Sequence, residues 1–192
     1  MDVAIVLYEG FDELDAVGPY EVFQTAGELG GEMEATLVTV DEPTTVTASH
    51  GLRVEPDAAL EDVEPDLVLV PGGGWSDPDS PGARREFDDG TIPDVLRTLA
   101  PTTQLASVCT GAMLLAAAGV LTNRPATTHH SAMDDLSVFA DVRDERIVDD
   151  GDVLTCGGVT AGLDLALYLV RRECGDEVGD AVATEMEYVP RV

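Results

Sequence analysis

The chain contains no lysine: its ten basic residues are all arginine, set against 38 acidic residues, and the formal net charge is -28 over 192 residues. Binding to a phosphate backbone demands the opposite sign, so nucleic acid is not an expected partner. The acidic residues are spread along the chain rather than gathered in a tail. This favours a solvated surface adapted to a salt-rich cytoplasm over a docking face for a basic partner. Aromatic residues make up only 5% of the chain, so the core must be built from Val, Leu and Ala. No apolar run approaches the length needed to span a bilayer, which argues against a membrane partner. The start is strand-like from Val3 to Leu7 with no basic leader, and a cytoplasmic location is expected. Three cysteines, Cys109, Cys156 and Cys174, show no C-x-x-C spacing. An odd, scattered set argues against a disulfide framework and leaves at least one free thiol. Three histidines, His50, His129 and His130, are too few and too scattered to mark a dedicated metal site, and no metal is expected.

What is present is enough for one packed domain over residues 1–192: 44% of the residues are hydrophobic. Short β-rich runs alternate with helical ones, the pattern of a mostly parallel sheet covered on both faces. Strands are expected at Asp2–Tyr8, Ala35–Val40, Asp66–Val70, Gln104–Val108 and Arg124–Thr127. Hairpins are expected at Thr44–Val54 and Arg146–Cys156, the second with an Asp-Gly turn. Helices are expected from Gly18-Pro19 to Leu29, and over Ile92–Leu99, Thr110–Ala118, Thr160–Cys174 and Asp176–Glu187. Pro19 would open the first of these and Thr160 would cap the fourth. Trp75–Gly82 reads as an acidic, turn-rich loop.

The chemistry gathers around Cys109. The run Leu105-Ala106-Ser107-Val108-Cys109-Thr110-Gly111-Ala112 passes from strand directly into helix. Ser107 and Gly111, two residues to either side, are small enough for the tight turn of a nucleophile elbow. That turn would place the sulfur at a helix N-terminus, where the dipole and free amides lower a thiol pKa. The alternative is a small residue packed at a corner. Gly72, Gly73 and Gly74 follow a core strand, where open α/β sheets bind ligands. With the Thr110 amide, Gly73 and Gly74 could form an anion-stabilising hole, or simply make a tight turn. No G-K-[ST] follows them, and Gly157–Gly162 has the wrong spacing for a dinucleotide fingerprint, so no cofactor is expected.

Ser107-Val108-Cys109-Thr110-Gly111, Pro71-Gly72-Gly73-Gly74, Thr127-Thr128-His129 and Cys156–Leu167 together resemble the ThiJ/PfpI superfamily, with its class I glutamine amidotransferase-like fold. Leu14–Phe23 is most similar to the isonitrile hydratase branch, which itself resembles the sensor domains of some regulators. The resemblance implies a flavodoxin-like three-layer sandwich and a homodimer. It also implies a carboxylic acid reaching the cysteine from the first βα connection, here Asp15, where other branches carry glutamate. A carboxyl beside a thiolate is driven toward its protonated form and can then donate a proton. His129 matches a histidine that several branches keep near the cysteine, as a base or as a structural residue. The branch usually follows this histidine with tryptophan, and this chain has His130 there.

Three functions follow from this reading. The first is a cofactor-independent hydratase acting on a small carbon electrophile, most concretely turning an isonitrile into an N-substituted formamide. The second is glyoxalase- or deglycase-like chemistry, or a redox stress response at Cys109. The third is a sensing domain that binds a small molecule without turnover. Direct DNA regulation is not expected, because the sequence to Val192 shows no helix-turn-helix and carries a hostile charge.

Overall fold

The computed structural model describes residues 1–191. Hydrophobic runs such as Val3–Leu7 and Leu67–Val70, apolar at every position, cannot have a wet face; they belong in a sheet covered on both sides. A seven-stranded sheet results. Its strands are β1 (Asp2–Val6), β2 (Glu34–Thr39), β5 (Ala58–Ala59), β6 (Leu67–Val70), β7 (Gln104–Ser107), β10 (Ile147–Asp149) and β11 (Val153–Cys156). A hairpin of β3 (Val46–Thr47) and β4 (Arg53–Val54) stands apart, as does a small parallel pair of β8 (Pro125–Ala126) and β9 (Asp141–Val142). The main order is β10-β11-β7-β6-β1-β2-β5, and every pairing is parallel except β10 with β11.

Helices cover both faces. On one side α1 (Glu13–Glu28) packs on α6 (Ala161–Cys174), which packs on α7 (Asp176–Glu185). On the other, α2 (Ala83–Asp89) and α3 (Thr91–Leu99) pack on α4 (Gly111–Ala117), with the short α5 (Met133–Leu136) beside it. This is the flavodoxin-like three-layer sandwich. From β1 the chain first builds outward through β2, then returns to build β6, β7 and β11 on the other side. The order reverses between β1 and β6, and ligands in such sheets bind outside the carboxyl ends of the strands at that reversal.

The structure corrects several sequence expectations. Helix α1 does not open at Pro19: it starts at Glu13, capped by Asp12, whose Oδ1 accepts from the Leu14 N–H at 3.2 Å. A proline inside a helix costs about 3 kcal/mol in isolation. Tertiary packing holds this one, with Gly18 against Leu163 and Pro19 against Gly162 at the crossing of α1 and α6. Thr160 does not cap α6 through its side chain; its hydroxyl accepts from Arg146 Nη2 at 3.3 Å. Helix α2, strand β5 and helix α5 are too short or too charged to show a periodic pattern, and no sequence signal marked them. The Trp75–Gly82 loop is anchored by its first residue. The Trp75 ring meets Phe87 edge-on at 5.4 Å between centroids, and its Nε1–H donates to Asp135 at 2.7 Å.

Candidate active site

Four strand ends converge at the reversal point. β1 leads into the first turn of α1 and Asp15, β6 into Gly72 and Gly73, β7 into Cys109, and β11 into Gly157, Gly158 and Val159. Cys109 adopts φ 58°, a left-handed conformation uncommon for any residue but glycine. The turn is as tight as the sequence implied. A Cβ on Gly111 would lie 2.2 Å from the Val70 carbonyl oxygen, and one on Gly72 would lie 2.6 Å from the Thr110 nitrogen. Neither position tolerates a side chain, since the opposing atoms are backbone and cannot swing away.

Asp15 is fully buried. One oxygen accepts from the Gly72 N–H at 2.9 Å, while Oδ1 has no partner of ordinary hydrogen-bond geometry. The Cys109 thiol is one of the two groups that act to lower the pKa of this carboxyl. Burial first, and then the neighbouring Asp12 charge, push the Asp15 carboxyl up to about 7, against the opposing pull of the Gly72 amide and Cys109.

The thiol departs from expectation. A helix N-terminus should lower its pKa, yet burial, followed by the Asp15 carboxylate, pushes Cys109 up to about 12. Hydrogen bonds from the Thr110 and Val159 amides pull the other way without winning. Two acids in one dry pocket titrate as a pair. Between the two values the pair carries a single negative charge, which can reside on oxygen or sulfur. When it resides on sulfur, Asp15 is protonated, its repulsion is gone, and the two amides still stabilise the thiolate.

Val159 was not marked by the sequence. Its φ of 45° is a severe departure for a β-branched residue, and its amide is one of two that act to lower the Cys109 pKa. No motif signals this, because any non-proline residue supplies an amide. The glycine turn is also more committed than expected. Gly72 N–H serves Asp15, and Gly73 N–H donates to Thr110 Oγ1 at 2.9 Å, while that hydroxyl donates back to the Gly73 carbonyl at 2.7 Å. Gly74 lies exposed beyond them, its carbonyl accepting from the Arg84 N–H.

His129 stands beside this centre. Its neighbour Thr128 donates to the Cys109 carbonyl at 2.7 Å. The His129 ring passes so close to Gly158 that a Cβ there would sit 2.2 Å from Cδ2. Nδ1 pairs with the Ser131 hydroxyl at 2.8 Å, and the ring packs on His130 at 4.1 Å. Partial burial and His130 lower its pKa, so the ring is neutral at pH 7 and able to accept a proton. An open cleft of about 420 Å³ runs past it, lined also by Arg146, Thr128, Gly157 and Val159, the last three of which ring the Cys109 turn. A tighter depression lies at the amino ends of β1 and β2, at the opposite end of the strands, and its lining includes neither cysteine nor histidine.

Asp12, Glu13 and His50 place three potential metal-ligating atoms within 4.8 Å of one another. These donors are spent on each other. Glu13 accepts from the His50 N–H at 2.7 Å, from Ser49 Oγ at 3.1 Å, and pairs with His50 Nδ1 at 2.7 Å. The group ties the β3–β4 turn to the start of α1.

The DJ-1/PfpI family profile matches residues 1–172. The chain belongs to the DJ-1/PfpI family. It is 32% identical to the isonitrile hydratase of Pseudomonas putida over 192 residues, covering 99% of this chain and 79% of that one. It is 27% identical to a deglycase of Pyrococcus abyssi over 156 residues, covering 79% of this chain and 87% of the relative. A ThiJ/PfpI family structure from Pseudomonas syringae superposes with a TM-score of 0.85 at 28% identity, over 100% of this chain and 76% of the other. The DJ-1/PfpI family thus includes both hydratases and deglycases among the relatives of this chain.

Proposed function

We propose that this DJ-1/PfpI protein is a cysteine-dependent hydratase that turns a small isonitrile into an N-substituted formamide. The observation that carries the reading is a buried carboxyl, Asp15, beside a buried thiol, Cys109, with burial raising the pKa of both. Isonitrile hydration needs both a nucleophile and a proton delivered to the same carbon, and this pair can supply both. The likeness to the Pseudomonas putida isonitrile hydratase over nearly the whole chain supports the choice of substrate.

The Cys109 thiolate adds to the terminal carbon while the Asp15 carboxyl protonates that carbon, giving a thioimidate and an Asp15 carboxylate. Asp15 then takes a proton from water as its oxygen adds to the carbon, and the nitrogen receives that proton. Collapse of the tetrahedral adduct forms the formamide carbonyl, returns the hydroxyl proton to Asp15 and expels the thiolate. The Thr110 and Val159 amides hold the sulfur whenever it is charged. His129, neutral and beside the cleft, is placed to hold the incoming water.

The test is formamide production from an alkyl isonitrile in high-salt buffer. Turnover should vanish in Cys109→Ala and fall at least 100-fold in Asp15→Asn. The reactive monoanion forms as the pair loses its first proton, so kcat/KM should rise with pH through about 7 and then level off. Unchanged rates in either variant would refute the mechanism. The deglycase relative supports a second reading, since the same thiol can attack a carbonyl adduct. Release of thiol or amine from a methylglyoxal adduct, without isonitrile turnover, would select it.

A further inference from the structure

Next to Cys109 lies a second buried thiol that hydration leaves idle. Cys156 ends β11, wholly buried and unpaired. The parallel register sets Ser107 opposite Thr155, which puts Val108 opposite Cys156. One step on, the Cys109 N–H donates to the Gly157 carbonyl at 3.0 Å. A strand spacing of about 4.8 Å combined with an offset of about 3.3 Å gives a Cα separation of about 6 Å. That lies within the span of a disulfide.

The side-chain directions also agree. Paired residues of neighbouring parallel strands face the same side, and Val108 points to Gly162 of α6. Cys156 therefore faces the layer of α1 and α6, the layer that carries Asp15. Cys109 follows in a left-handed turn, and Asp15 is the charge that most raises its thiol. After burial itself, the neighbours that most raise the Cys156 thiol are Asp15 and then Cys109. Two thiols converge on one carboxyl.

We propose that Cys156 is the resolving thiol for Cys109, so that a hydroperoxide converts the pair into a reversible disulfide. The Cys109 thiolate attacks a peroxide oxygen, the O–O bond breaks, the Asp15 carboxyl gives its proton to the departing oxygen, and Cys109 becomes a sulfenic acid as water or an alcohol leaves. The Cys156 sulfur gives its proton to Asp15 and attacks the Cys109 sulfur. The S–S bond forms, the S–O bond breaks, and the departing hydroxide leaves with that proton as water. Two electrons pass from the thiol pair to the peroxide. The order follows from exposure: Cys109 is 6% exposed and Cys156 not at all, so the oxidant meets Cys109 first. Resolution spares Cys109 the irreversible sulfinic state and stops its electrophile chemistry until a reductant arrives. Cys174, at the end of α6 against Gly31, stands outside the pair and serves as an internal control.

This chemistry needs a reactive Cys109 thiol but no isonitrile turnover, and its readout is a bond rather than a rate, so the two proposals fail separately. The folded native protein is treated with hydrogen peroxide, quenched in acid, and examined by intact mass and non-reducing peptide mapping. The expected product has lost two hydrogens, links the Cys109 and Cys156 peptides, and reverts with a thiol reductant. Cys156→Ala should instead accumulate sulfinic acid at Cys109 that reductant does not reverse. Native protein that accumulates Cys109 sulfinic acid while Cys156 stays free, or that pairs either cysteine with Cys174, would overturn the proposal. The decisive reading comes from the native chain, so an unstable variant does not blunt it.

Discussion

Asp15 is maintained against the interest of the fold. Its carboxyl ionises near pH 7 rather than near 3.8 because it is buried beside Asp12. A group whose folded pKa is raised contributes stability that is complete below its unfolded value and is lost as pH rises through the folded value. For Asp15 that window runs from about pH 4 to about 7, and the loss above it is on the order of a few kcal/mol. Asp15→Asn keeps an acceptor for the Gly72 amide and removes the charge. The variant should therefore melt higher than the native protein at pH 8, with the advantage fading toward pH 4, while losing its chemistry. Thermal melts across that range check this. Cys109, Gly111 and the glycine turn were legible in the sequence because a sharp elbow restricts residue size. Val159 was not, since its contribution is a main-chain N–H. The direction of the thiol shift was also hidden: a helix terminus is visible in a sequence, but the depth of burial that outweighs it is not.

At the scale of elements, the β3–β4 turn is latched to the first turn of α1, directly over the start of the helix that carries Asp15. The latch is Glu13 with Ser49 and His50. Against the cost of its partial burial, the His50 and Ser49 hydrogen bonds and its own backbone amide hold the Glu13 carboxyl down to about 2. The hydrogen bond His50 donates to Glu13, and then the Glu13 charge, raise His50 above its ordinary 6.5. His50 therefore supports the latch fully below pH 6.5 and less as pH rises through its raised value. Amide exchange across Ser49–Gly51, corrected for intrinsic rates, should quicken over that rise, and His50→Gln should abolish the pH dependence. The hairpin itself was readable from its turn residues. Its docking was not, because contacts between Glu13 and His50 span 37 positions of chain. The same limit explains α1. A local rule assigns Pro19 to a helix start, whereas packing against Leu163 and Gly162 decides otherwise.

Over the whole molecule, charge is the dominant unpaired quantity. Seven arginines, Arg84, Arg97, Arg124, Arg143, Arg146, Arg171 and Arg172, already bond to carboxylates. Among the described residues, most acidic side chains form no ion pair. Their mutual repulsion reaches about 10 Å at 0.1 M salt and about 3 Å at 1 M. The melting temperature should climb as potassium chloride rises from 0.1 M into the molar range; a flat or falling curve would remove the salt-adaptation reading. Among the described residues no helix is long and apolar enough to cross a membrane. The layered architecture was legible because alternating strand and helix patterns with wholly apolar strands admit few arrangements. Short pieces such as β5 and α5 were not, being fixed by the neighbours they join.

Trp75 gives the protein a built-in optical probe. It is the one tryptophan of the chain, it follows Gly74 directly, and its ring is held between Phe87 and Asp135. Its fluorescence is therefore a single-site signal from the end of the glycine turn that anchors Asp15 and Thr110. A carboxylate accepting from the indole and an edge-on phenyl ring set its emission, so a ligand that displaces the turn should change the colour or intensity of the protein without any added label.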